Sequence, residues 1–225
     1  MYESKNNLSA SSLTKLVTMN LGLPWFELAG EMWKIGRKVM RGLSNEGMYE
    51  VLNYESTLEL HDRGGKRATF SKRKKVRYLQ DHIIAYQDSA WGDGEILVNY
   101  RCTPGKPVDR YRCGHKTHIL ISLREVKNKG DIDEFNIRWG IHKGFLLQTG
   151  FWATGITNRT KRIKVQIIFP KSRPPLRLSL VEGNRQRTRS FNRNAKKRLP
   201  DGRWLVSWEK QKPKLYEQYI LNWEW

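Results

Sequence analysis

Two alternating stretches separated by a short glycine turn constrain this chain more than any other feature. In YESTLELH, residues 54–61, Tyr54, Ser56, Leu58 and Leu60 fall on one side, and Glu55, Thr57, Glu59 and His61 on the other. After DRGG, Ala68, Phe70, Val76 and Tyr78 share a side, while Thr69, Ser71, Arg73, Lys75 and Arg77 point away. Successive strand residues face opposite ways, so this pattern describes one hairpin with one buried face. A three-residue loop, Arg63-Gly64-Gly65, with glycine in the left-handed position, pairs Leu60 with Ala68 and Leu58 with Phe70. It also sets Glu55 opposite Arg73 and Glu59 opposite Thr69.

The rhythm continues downstream. Strands are expected at 95–100, 118–126, 134–141, 144–152, 163–169, 176–182, 203–209 and 216–225, with turn signals at TPGKP, NKGD, PKSRPP and LPDG between them. At the C-terminus Tyr219, Leu221, Trp223 and Trp225 alternate as a core strand does. A helical stretch is expected at 76–91. Residues 8–43 read as two helices, the first with the stripe Leu13, Leu16, Val17 and Leu21, the second starting near Pro24. Two helices leading into a hairpin loosely resemble a winged helix-turn-helix. The expected fold is mainly β with a minor α component: an antiparallel β-sandwich or open barrel over 48–225, preceded by a helical segment over 1–47.

Charge narrows the partners. Lys and Arg number 42 against 22 acids, a formal net charge of +20, with a pI near 10.1. A hydrophobic fraction of 38% and nine tryptophans exclude a disordered basic tail. A folded body of this charge attracts polyanions: nucleic acid, an anionic membrane surface or an acidic protein. The bases form clusters. The first is the hairpin's return strand and turn, with Arg63, Lys66, Arg67, Lys72, Arg73, Lys74, Lys75 and Arg77. The second is Arg185, Arg187, Arg189, Arg193, Lys196, Lys197 and Arg198, a stretch without an acid. Arginine at alternate positions of an extended chain aims guanidinium forks to one side, which suits successive phosphates. A third group is Arg159, Lys161, Arg162 and Lys164.

Two constellations carry possible chemistry. Asp109, an apolar strand, then Glu125-x-Lys127 resembles the PD-(D/E)xK signature of restriction-type nucleases. That resemblance implies a divalent metal held by Asp109 and Glu125, with Lys127 positioning the attacking water. Cys102, Cys113, His115 and His118 fall within seventeen residues, but their spacing matches no familiar zinc module. Neither a phosphate loop, a dinucleotide fingerprint nor a hydrolase triad is present, and no cofactor is expected.

The N-terminal residues MYESKNNLSASSL lack the basic and apolar regions of an export signal, and no run approaches the ~18 apolar residues of a membrane span. A cytoplasmic setting is therefore expected. The sequence points to a non-enzymatic nucleic-acid-binding protein, for DNA or RNA. The alternatives are an adaptor for an acidic protein partner and a metal-dependent nuclease.

Overall fold

The hairpin forms in the expected register. In the computed structural model, which describes residues 47–191 and 195–225, β1 (Tyr49–Leu60) pairs antiparallel with β2 (Arg67–Tyr78). Leu60 faces Ala68, Leu58 faces Phe70, Glu59 faces Thr69 and Glu55 faces Arg73. The turn closes with Gly65 N–H donating to the Asp62 carbonyl at 3.2 Å. Gly65 has φ +65°, and a Cβ there would sit 1.8 Å from the Phe145 carbonyl oxygen. Only glycine fits both the left-handed backbone and that close approach.

The remaining strands are β3 (Ile83–Ala90), β4 (Glu95–Thr103), β5 (Lys106–Cys113), β6 (Lys116–Lys127), β7 (Ile132–His142), β8 (Thr149–Gly155), β9 (Arg162–Phe169), β10 (Arg177–Glu182), β11 (Arg187–Ser190), β12 (Lys196–Arg198), β13 (Trp204–Gln211) and β14 (Gln218–Glu224). They form three sheets: β12-β13-β9-β1-β2-β7-β4, β11-β10-β14-β8 and β3-β6-β5. The seven-stranded sheet is one layer. Phe70 against Trp152, Phe169 against Trp223 and Trp208 against Tyr219 seat the four-stranded sheet on it. Tyr86 stacks on Phe135 at 4.0 Å and seats the three-stranded sheet beside it. The C-terminal residues Tyr219, Leu221, Trp223 and Trp225 are all buried, as their alternation requires.

Several expectations need correction. Mainly β holds, but the α component does not: among the described residues no α-helix occurs, and a 3-10 turn spans Gly183–Arg185. The two expected helices over 8–43 lie outside the described residues. Residues 76–91 are not helical. They hold the end of β2, a turn at residues 79–82 and β3, in which Tyr86, Asp88 and Ala90 are buried at a period of two. A purely antiparallel sandwich is also replaced. β1 and β9 run parallel, Leu58 beside Ile167, and the second layer is divided between two sheets. The strand expected from residue 144 begins at Thr149.

Candidate nucleic-acid interface

Strand β2 divides its bases between two environments. Arg67, Arg73, Lys75 and Arg77 lie on the outer face of the seven-stranded sheet, where acids from neighbouring strands meet Arg73 and Arg77, while no described acid forms an ion pair with the exposed Lys75. Arg73 donates to Glu55 at 2.7 Å and lies 3.7 Å from Glu134, and Arg77 donates to Glu50 at 3.1 Å. Glu55 also accepts from Arg162 at 2.6 Å, and Arg162 donates to both carboxylate oxygens of Glu209 at 2.8 Å. The Arg162 hydrogen bond, with help from Asn53 and Arg73, pulls the Glu55 carboxyl down to about 2 against the opposing effect of burial. Lys161 lies 3.7 Å from Glu50, and Arg67, largely exposed, 3.9 Å from Asp62. This face is laced with opposite charges.

Lys72 and Lys74 point the other way, into the seam between sheets. Lys72 forms a buried ion pair with Asp88 of β3; their side chains are 8% and 3% exposed. Asp88 also accepts from the Tyr100 hydroxyl at 2.9 Å. The Lys74 ammonium lies 5.0 Å and 5.4 Å from the ring centroids of Tyr49 and Tyr86. No described carboxylate makes an ion pair with it. Burial first, and repulsion from Lys72 second, push Lys74 down to about 7, while Asp88 acts in the opposite direction. These two lysines key the three-stranded sheet to the seven-stranded one.

The Arg-rich segment has a different construction. β11 is an edge of the four-stranded sheet and β12 an edge of the seven-stranded one. Phe191, which follows β11, is packed against the core. All four residues of β11 are exposed. Its register sets Arg187 beside Glu182 and Arg189 beside Leu180. Lys197 and Arg198 are exposed on β12, where the Arg198 guanidinium lies 5.9 Å and the Lys196 ammonium 5.0 Å from the Trp204 ring. Lys196 also donates to the Pro175 carbonyl at 3.3 Å. Arg185 differs: it lies 3.7 Å from Glu182 and 3.8 Å from Glu217. Arg193 lies outside the described residues. Among the described residues no acid forms an ion pair with Arg187, Arg189, Lys197 or Arg198, although the Arg189 charge, after Lys210, helps to hold the Glu182 carboxyl below its ordinary value. β13, β9 and β1 separate this edge from β2, about 19 Å at the usual strand spacing. The two basic clusters are not one patch.

The nuclease-like residues are not brought together. Asp109 pairs with Leu120, whereas Glu125 lies five residues further along β6, in a stretch where the pairing with β3 is bulged. Asp109 accepts from its neighbour's backbone, the Arg110 N–H, at 2.7 Å. Lys127 is tied to Glu125 and lies 3.0 Å from Asp133, a carboxylate that also accepts from the Tyr78 hydroxyl at 2.8 Å. The thiol–imidazole set is likewise dispersed. Cys102 donates to the Pro104 carbonyl at 3.4 Å, and burial, then the Asp88 charge, push its thiol up to about 12. Cys113 is exposed, and both cysteines are free. His115 meets Trp91 edge-on, whereas His118 stacks on Tyr111 and bonds Gln87 at 2.6 Å. Among the described residues no group of three or more His, Cys, Asp or Glu is placed to hold a metal.

No protein-family model matches this chain, and no curated protein sequence does. Among solved structures it is similar to an M1 zinc metallopeptidase from Deinococcus radiodurans, with 8% identity and a TM-score of 0.46. A mutant of that metallopeptidase bound to a Tyr-Ser-Ala substrate gives 8% and 0.47. In both cases 77% of this chain and 42% of the other are covered. The chain therefore spans less than half the length of the proteins it matches, and likeness at these scores carries no argument about chemistry.

Proposed function

We propose that this is a non-enzymatic nucleic-acid-binding protein that grips the phosphate backbone along the edge made by β11 and β12. The supporting observation is one-sided charge. Arg187, Arg189, Lys197 and Arg198 stand exposed, without an ion-paired acid among the described residues, in a segment that contains no acid from 185 to 198. Charged edge strands, especially those carrying lysine, also guard a sheet against unwanted pairing. A run of bases alone carries a repulsion that a polyanion relieves. Extended edges that present arginine forks match the repeat of a phosphate backbone better than one compact site does.

A reducing, cytoplasmic setting suits the two free thiols. Among the described residues no helix is long and apolar enough to cross a membrane.

The test is a salt titration of binding to labelled single-stranded and duplex oligonucleotides. Affinity should fall steeply, with log K linear in log salt. Binding that hardly changes between low and high salt contradicts the proposal. So does an absence of binding together with capture of an acidic protein after nuclease treatment.

A further inference from the structure

One end of the molecule combines exposed leucines with bases in a way the proposed phosphate grip does not use. The β1–β2 turn, the loop from His142 to Thr149 and the loop from Pro170 to Arg177 converge there on the C-terminal Trp225. Lys143 N–H donates to the Lys66 carbonyl at 2.7 Å and Phe145 N–H to the Gly65 carbonyl at 3.2 Å. The Trp225 indole donates to the Leu147 carbonyl at 2.9 Å. The Arg173 guanidinium lies over the Trp225 ring at 3.7 Å and donates to the Arg63 carbonyl at 2.7 Å. Leu176 N–H donates to the Glu224 carbonyl at 2.7 Å. The loops are tied to one another through their backbones, so their side chains are held on a firm platform.

Three leucines project from it. Leu146 is 53% exposed, Leu147 59% and Leu176 72%. The bases beside them line a shallow cleft formed by Gly64, Lys66, Arg67, His142 and Lys143, with Asp62 as its acid. Asp62 is engaged: it accepts from the Lys66 and Arg67 backbone N–H groups at 3.0 and 2.8 Å. These N–H groups, aided by Gly64, hold its carboxyl below its ordinary value although burial opposes them. Neighbouring acids are also engaged: Glu59 and Asp201 by Arg203, and Glu224 lies 3.4 Å from Arg177, whereas Glu95, 3.3 Å from His142, is the exposed acid beside the cleft.

We propose that this end docks on an anionic lipid bilayer. Leu146, Leu147 and Leu176 enter the boundary between headgroups and acyl chains, and Lys66, Arg67 and Lys143 contact anionic headgroups. Charge complementarity selects this partner, since leucines at loop tips with bases around them combine the two contributions that interfacial binding needs. A nucleic acid would use the bases and leave the leucines in water. The surface is distinct from the β11–β12 edge, so the two assignments stand or fall separately.

The test is co-sedimentation of the full chain with phosphatidylcholine vesicles, with and without phosphatidylserine. Binding is expected only with phosphatidylserine. Replacing Leu146, Leu147 and Leu176 together by serine should reduce it roughly ten-fold or more. Lys66→Glu with Lys143→Glu should reduce it similarly while leaving oligonucleotide affinity within about two-fold, because the phosphate grip lies elsewhere. Circular dichroism of each variant checks that the exposed substitutions leave the sheets intact. Two results would overturn the proposal: no binding to phosphatidylserine vesicles, or binding unchanged in the serine variant.

Discussion

The chain carries two runs of bases of similar density, and the fold treats them in opposite ways. β2 lies inside the seven-stranded sheet with a strand on each side, so its outward arginines meet acids from β1 and β7 and its inward lysines enter the core seam. β11 and β12 lie at sheet edges with one neighbour each, and no described acid forms an ion pair with Arg187, Arg189, Lys197 or Arg198. A central strand is surrounded by partners that can carry complementary charge, whereas an edge strand keeps its charge for solvent or a ligand. Density of charge in a sequence thus says less about a binding surface than position in a sheet does.

The contrast can be broken from the β2 side first. Lys72→Ala leaves Asp88 buried without its cation, and it should lower unfolding stability by about 3–5 kcal/mol, read from urea denaturation. Little loss would mean that Lys72 is no more structural than an edge base.

Lys74 gives a pH signature. Its folded value near 7 lies below that of a free lysine, so between these values the unfolded chain holds more protons than the folded one. Stability should therefore rise with pH from about 7 towards 10, by at most ~1.4 kcal/mol per pH unit, and level off below 7. Lys74→Met should remove that rise, and denaturation midpoints for the two proteins across this range measure the difference. The outer face of β2 should matter least. Arg73→Ala with Arg77→Ala breaks exposed pairs worth about 1 kcal/mol or less each and should leave oligonucleotide affinity within about two-fold.

Much of the frame was legible before the structure, because burial imprints a period of two. The hairpin register followed from Leu58, Leu60, Ala68 and Phe70 together with the Arg63-Gly64-Gly65 turn, and the C-terminal strand from its alternating aromatics. β5 and β11 were not legible for the converse reason: none of their residues is buried, so no alternation marks them. The helix expected over 76–91 gives way to β3, whose buried Tyr86, Asp88 and Ala90 recur at a period of two while a bulge next to Ile83 interrupts the pairing at its start. Lys72 and Lys74 were grouped with the phosphate-gripping bases, although their even positions already put them on the side of Phe70 and Val76. The signal was there in parity, but charge outweighed it. The separation of the two clusters by β13, β9 and β1 depends on the parallel β1–β9 pairing, a long-range contact without any local pattern.

The central assignment rests on the β11–β12 edge, and fluorescence anisotropy over a salt series tests it most directly. The natural chain is compared with Arg187→Glu/Arg189→Glu/Lys197→Glu and with the Arg73→Ala/Arg77→Ala variant on labelled oligonucleotides. The edge variant should lose more than ~ten-fold in affinity, and its plot of log K against log salt should be shallower by roughly 2–3. The β2 variant should follow the natural chain. An edge variant that binds as the natural chain does, or a β2 variant that takes the larger loss, would contradict the account.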